Sequence, residues 1–316
     1  MSVWLPTSPC TPEACAGHEG RTASVPHAVL RLAGAVALIL LGILGAPPVR
    51  LLPAGPRHAL VRAWSAALVR AFGVRITVHG SPGRRGGRLL VANHISWLDV
   101  PLVAAVLPSR MLAKSDIRAW PVLGSLAGQA GTLFIERDRI RALPATVTTM
   151  TRALLAGDRV AVFPEGSTWC GRAQGAFRRA AFQSALDARV PVQPVHLAYL
   201  RADGSPAGAP AFVGDDPLTA SLWRIARARG IRAEVTLLPR IPPGRYADRR
   251  DLAAAAQRAV ADRAPERTAL AGCLADQDRP TGPSATDKDR AKRPAASVHH
   301  WVSSSPAAAS SFRTPS

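Results

Sequence analysis

Apolar residues along the chain come in two rhythms. Short runs bounded by Gly, Pro or charged positions recur at residues 74–78, 89–92, 111–114, 132–135, 160–163, 192–199 and 233–238. Runs of this length predict strands, several of them buried on both faces. Between them, longer stretches with helical spacing predict helices over 120–130, 139–155, 176–187 and 251–263. Strands alternating with helices predict an α/β fold, with a mostly parallel central sheet flanked by helices, over residues 74–263.

Two segments lie ahead of that body. Residues 1–25 are polar and rich in Pro, Gly and Thr, and predict a disordered leader. Residues 26–73 predict a helical segment with a membrane role. Its first part, 32–46, is an apolar run of about fifteen residues, short of the ~20 that span a bilayer. Flanking Arg31 and Arg50 suit a helix lodged in the membrane, with a tilted full span as the alternative. In the second part, Leu60, Val61, Trp64, Leu68 and Phe72 share one helical face. The pair predicts an apolar helical hairpin for membrane attachment. From 264 to 316 the composition turns to Pro, Ser, Ala and Thr without apolar periodicity, which predicts a disordered tail.

Charge narrows the partners. Forty Lys and Arg against 21 Asp and Glu leave a net charge of +19. The tail holds seven basic and five acidic residues, so the excess sits almost entirely ahead of it. An anionic partner is implied. Aromatic residues make up only 5% of the chain and no nucleic-acid-binding motif is present, so an anionic membrane surface is expected and nucleic acid is not. The four cysteines, Cys10, Cys15, Cys170 and Cys273, are too scattered for a disulfide framework. Cys10 and Cys15 have no His or Cys cluster near them in sequence. Reduced thiols and no metal site are expected.

Candidate chemistry gathers where predicted strands end. The first cluster, Asn93-His94-Ile95-Ser96-Trp97-Leu98-Asp99, sets a histidine five residues before a carboxylate. Histidine can take and return a proton near neutral pH, and Asp99 can fix its tautomer. An isolated pair of this spacing is more often a hydrogen-bonded histidine at a turn. Here, however, further clusters close other strands: Glu136-Arg137, and Glu165-Gly166-Ser167-Thr168. Ligands of open α/β sheets bind at strand carboxyl ends, so these clusters are expected to converge. Lys114, also at a strand end, is the only lysine ahead of the tail in a chain with 37 arginines. A compact ammonium there suits a phosphate or a thioester oxygen.

With these clusters in view, the chain resembles the glycerolipid (lysophospholipid) acyltransferase family, whose members include 1-acylglycerol-3-phosphate acyltransferases. Four blocks carry the resemblance in order: the His94–Asp99 block, Gly131-Thr132-Leu133-Phe134-Ile135-Glu136-Arg137, Phe163-Pro164-Glu165-Gly166-Ser167, and Val190-Pro191-Val192-Gln193-Pro194-Val195. The resemblance implies an enzyme that moves a fatty acyl group from acyl-coenzyme A or acyl carrier protein to a lysolipid hydroxyl. His94 would serve as general base and Asp99 would orient it. The resemblance also implies that Arg137 binds the acceptor's phosphate, while Glu165, Gly166, Ser167 and Thr168, with Lys114, hold substrate. No cofactor beyond the acyl donor is expected. No Gly-x-Ser-x-Gly elbow occurs, so direct transfer is expected rather than a serine acyl-enzyme.

The expected acceptor is 1-acyl-sn-glycerol-3-phosphate, giving phosphatidic acid at the cytoplasmic face of the cell membrane. One departure bears on it. Many lysophosphatidate-using relatives carry an arginine after the Glu-Gly-Ser/Thr of the third block, whereas this chain has Thr168 and then Trp169. Lyso-ornithine lipid, which has no phosphate, is therefore the alternative acceptor. A non-catalytic lipid-binding membrane protein is the alternative of another class.

Overall fold

A computed structural model of the chain describes residues 8–83, 86–120, 123–136 and 139–263. The expectations for Arg137 and for the tail from 264 onward lie outside the described residues. In chain order, the helices α1 (Pro12–Cys15), α2 (Val25–Arg50) and α3 (Ala54–Ala71) precede strands β1 (Arg75–His79) and β2 (Arg88–Ala92). Then follow α4 (Asp99–Val106), β3 (Arg110–Lys114), α5 (Leu123–Gln129), β4 (Leu133–Ile135), α6 (Leu143–Leu155) and β5 (Arg159–Val162). The remainder comprises α7 (Phe182–Asp187), β6 (Val192–Leu200), α8 (Leu218–Arg227), β7 (Arg232–Leu237) and α9 (Arg249–Ala261).

The seven strands form one sheet in the order β1-β7-β6-β2-β5-β3-β4. Strands β6, β2, β5, β3 and β4 run parallel, while β7 pairs antiparallel with β6 and carries β1 parallel to itself. All five residues of β2 are buried, because the strand has neighbours on both edges and helices on both faces. Side-chain alternation splits the core accordingly. Leu89, Val91, Val160 and Val162 join the cluster beneath α6, α7 and α9. Leu90, Ala92, Ala161, Val195 and Leu197 join the one beneath α3 and α4.

The predicted helix over 176–187 starts only at Phe182. Upstream, the donors a helix would use are committed elsewhere. Gly175 N–H goes to Glu165, Phe177 N–H to Gln257 Oε1 and Arg178 N–H to the Pro164 carbonyl. Tertiary bonds have overridden the local propensity.

The N-terminal hairpin differs from expectation in length. At 26 residues α2 is about 39 Å long, enough to cross a hydrocarbon core, because the helix continues beyond the apolar run at both ends. Leu30, Leu41 and Leu44 are 69%, 61% and 76% exposed, an apolar surface with no protein cover, and the chain is accordingly membrane-associated. One side of α2 packs on the body. Ala28 and Ala35 are buried, and Arg31 donates to the carbonyls of Ala226 and Ala228 at the end of α8. Trp64 of α3 donates its indole N–H to the Leu38 carbonyl at 2.8 Å, which closes the hairpin. Further along α3, Leu68 and Phe72 are buried against the core.

The leader departs more sharply from its predicted disorder. From residue 8 onward it is folded, with Cys10, Cys15, Ala16 and Ala23 buried. Ala23 N–H bonds the Arg227 carbonyl and the Arg21 carbonyl accepts from Arg229 N–H, so the leader runs along the end of α8. Its polar composition hid this, since the bonds that hold it are mainly to backbone.

Where α2 and α3 cross, Gly42 leaves no room for a side chain: a Cβ there would lie 2.6 Å from the Trp64 ring. Gly42→Val is expected to splay the hairpin and cost ~1–3 kcal/mol. Thermal unfolding in detergent micelles checks this, and an unchanged midpoint would contradict the close crossing.

Candidate active site

The site is built at the carboxyl edge of the sheet. His94 follows β2 by two residues and Glu165 follows β5 by three. These two strands are neighbours, so the residues meet. The Asp99 carboxylate, fully buried at the start of α4, collects four donors. Oδ2 accepts from His94 Nδ1 at 2.8 Å, Ile95 N–H at 2.6 Å and Ser96 N–H at 2.9 Å. Oδ1 accepts from the Tyr199 hydroxyl of β6 at 2.7 Å. As a carboxylate, Asp99 can only accept, so the ring hydrogen resides on Nδ1. The lone pair is left on Nε2. The imidazole is stacked on Phe163, with centroids 4.0 Å apart and planes 10° from parallel, and its side chain remains 19% exposed. The arrangement gives one oriented basic nitrogen that a ligand can reach.

Glu165 acts from beneath. Its Oε2 accepts from His94 N–H at 2.7 Å and its Oε1 from Gly175 N–H at 3.0 Å. It is buried, and that burial pushes its pKa up to about 8, although the two backbone N–H bonds pull the other way and nearby Asp99 adds to the rise. Glu165 therefore fastens the loop that carries His94 to the loop after β5. The same two loops are joined by Trp169 N–H to the His94 carbonyl at 2.7 Å. Gly166 takes a φ of +77°, a conformation that favours glycine. The Thr168 hydroxyl donates to the Phe212 carbonyl. Two buried polar atoms of this loop, Ser167 Oγ and Trp169 Nε1, have no hydrogen-bond partner among the described residues.

Asn93, conspicuous in the first block, acts structurally. It bonds both the carbonyl and the N–H of Leu197, which pins the end of β2 to β6. Ser96 is a local cap, accepting from Leu98 N–H at 3.2 Å.

The other expected residues stand farther along the same edge. Lys114 closes β3, two strands from β2, or about 10 Å at ordinary strand spacing. It pairs with Asp116 at 2.5 Å. Glu136 follows β4, one strand beyond, and pairs with Arg139 at 3.4 Å. Sequence reasoning missed Tyr199 and Phe163. Both sit inside apolar strand runs, where an aromatic ordinarily reads as core. A hollow of about 530 Å³ bordered by Ala185, Arg189, Val192 and Tyr246 lies instead toward the amino end of β6. It holds none of these residues.

Two predictions follow from Asp99 and Glu165. Tyr199→Phe keeps the ring and removes one donor from a buried carboxylate oxygen, for an expected loss of ~1–3 kcal/mol in stability with slower turnover. Parallel denaturation and activity measurements check it. Glu165 has a pKa near 8 when folded against 4.5 for the ordinary side chain. Below 4.5 both folded and unfolded chains hold the proton; between 4.5 and about 8 only the folded chain does. Stability from this group therefore falls as pH rises through that window and levels off above it. The melting temperature of the wild type relative to Glu165→Gln should drop from pH 5 to 8, and a constant difference would refute the assignment.

Comparison with known proteins identifies the family. Residues 75–198 match the family model described as Acyltransferase. A lyso-ornithine lipid O-acyltransferase from Pseudomonas aeruginosa is 40% identical over 65% of this chain and 78% of its own. A 1-acyl-sn-glycerol-3-phosphate acyltransferase from Neisseria gonorrhoeae is 37% identical over 49% of this chain and 60% of its own. The fold matches the crystal structure of a 1-acyl-sn-glycerophosphate acyltransferase from Thermotoga maritima, with a TM-score of 0.58 and 18% identity over 81% of this chain and 98% of that one. The chain therefore belongs to the acyltransferase family that includes the lyso-ornithine lipid and 1-acyl-sn-glycerol-3-phosphate acyltransferases.

Proposed function

We propose that this acyltransferase moves a fatty acyl group from acyl-coenzyme A, or acyl carrier protein, to the free hydroxyl of a lysolipid at the cytoplasmic face of the cell membrane. The observation that carries the reading is the imidazole of His94, its Nδ1 bonded to buried Asp99 and its Nε2 left as the base. The acceptor hydroxyl gives its proton to Nε2 as its oxygen attacks the thioester carbonyl. The tetrahedral intermediate then expels the thiolate as the C–S bond breaks, and the imidazolium returns the proton to sulfur. Asp99 stabilises the imidazolium between these steps without changing its own protonation. On this reading Lys114 and the loop from Gly166 to Thr168 hold the remainder of the substrate, Arg137 is assigned to an acceptor phosphate by the family resemblance, and Glu165 acts through the backbone it holds.

Two observations bear on the acceptor. Where many lysophosphatidate-using relatives have an arginine, this chain has Thr168, whose hydroxyl is already bonded to the Phe212 carbonyl. The match to the lyso-ornithine lipid enzyme also extends over more of both chains than the match to the lysophosphatidate enzyme. Both support lyso-ornithine lipid as the preferred acceptor. 1-Acyl-sn-glycerol-3-phosphate is the second reading, favoured by Arg137 in the second block and by the Neisseria relative.

Purified protein given labelled acyl-coenzyme A or acyl carrier protein, with both lysolipids side by side, tests the whole proposal. Transfer to lyso-ornithine lipid is expected to dominate. Preference for lysophosphatidate would reverse the order of acceptors and leave the reaction intact. His94→Ala should lower turnover by ~10²–10⁴ while leaving vesicle binding unchanged. Absence of transfer by the wild type to any lysolipid would end the catalytic reading.

A further inference from the structure

Cys10, Cys15 and Cys170 meet in the fold. Their Sγ atoms all lie within 4.8 Å of one another, all three residues are buried, and none is in a disulfide. Cys170 supplies in three dimensions the neighbour that the sequence around the leader cysteines does not show. The third member comes from a loop some 155 positions away, a proximity that no sequence spacing announces. We infer that these three cysteines form a thiolate site for a soft d10 cation, Zn²⁺ or Cu⁺, which clips the N-terminal leader to the active-site loop.

Two lines of geometry carry the inference. First, a tetrahedral zinc centre with Zn–S bonds of ~2.3 Å needs sulfurs about 3.8 Å apart, so the observed cluster requires only a small contraction. Three sulfurs also match a trigonal Cu⁺ centre, whereas a disulfide would use two and leave the third. Second, the backbone around the cluster is held independently of the thiols. The carbonyl of Thr11 accepts from Cys15 N–H within the α1 turn, which sets Cys10 and Cys15 on either side of that turn. On the other side, Gly171 has a φ of +82° and packs so closely on Ile95 that a Cβ would lie 3.0 Å from it. The segment next to Cys170 is thus seated before any ion binds.

The position gives the site its purpose. Cys170 directly follows Trp169, whose N–H holds the His94 carbonyl. Close approaches carry the leader past the same region: a Cβ on Gly208 would lie 2.7 Å from the Cys15 carbonyl, and one on Gly214 would lie 3.3 Å from that of Cys10. A metal at this point joins the leader to the loop whose Trp169 N–H holds the His94 carbonyl. It is a positioning centre rather than a participant in acyl transfer, and its existence does not depend on which lipid is acylated.

The full-length protein, purified in detergent without oxygen or chelator, should contain about one zinc or copper per chain by elemental mass spectrometry. X-ray absorption should show a sulfur shell at ~2.3 Å. Titrating stripped protein with Zn²⁺ and, separately, Cu⁺ against a competing chelator distinguishes the two ions. Cys15→Ser and Cys170→Ser should lower the metal content at least tenfold, and His94→Ala should leave it unchanged. Should either serine variant fail to fold, the wild-type measurements still decide. Wild-type protein that is isolated without metal and takes up neither ion overturns the inference. So does a shell of nitrogen and oxygen only, or full metal content in Cys15→Ser.

Discussion

The structure depends on one buried carboxylate. An ionised group out of contact with water is strongly unfavourable unless its oxygens are satisfied, and Asp99 is satisfied only when four separate donors arrive together. Two come from the loop after β2, which must wrap around the carboxylate. One is the imidazole, whose ring is thereby oriented. The fourth is Tyr199, from the neighbouring strand β6. A folded chain that buries Asp99 has therefore also oriented its histidine. The geometry of the site is a by-product of solving a solvation problem.

That constraint reaches the membrane through α4, which begins at Asp99 and packs against α3 of the hairpin. Trp97, between His94 and Asp99, meets Phe72 at the end of α3 edge-to-face with centroids 5.1 Å apart, and its indole N–H reaches Ser221 of α8. The elbow is thus wedged between two helices that both touch α2. Chemistry and anchor are parts of one packed layer. The exposed apolar side of α2 thus belongs to the same packed unit as the imidazole.

Much of this was legible in the sequence because the central strands have no exposed face. Residues 89–92 and 160–163 read as unbroken apolar runs, and such runs mark strands covered on both sides. The polar clusters that close them stood out by contrast, so His94, Asp99 and Glu165 could be placed at one edge. Their division of labour could not. Glu165 reads as a substrate ligand until both its oxygens are seen spent on backbone N–H groups, and that depends on where residues 94 and 175 arrive in three dimensions. The leader and α8 were obscure for a related reason. The leader takes its order from α8, whose end receives the leader's backbone bonds and Arg31 on its last carbonyls, whereas α8 is an amphipathic helix that buries Ser221, Ile225 and Ala226.

Most of the imidazole is shielded from solvent. The imidazole's exposure is limited by Phe163 on one face, by buried Asp99 at its Nδ1 edge and by Glu165 beneath its backbone. Water can still reach the open nitrogen, but Ser167 Oγ and Trp169 Nε1 are left with donors that nothing among the described residues satisfies. Buried polar atoms left unpaired are costly, so these two mark the least satisfied part of the loop. One loop thus combines a backbone fastened by Glu165 and by Trp169 N–H with the unspent hydrogen-bonding capacity of the site.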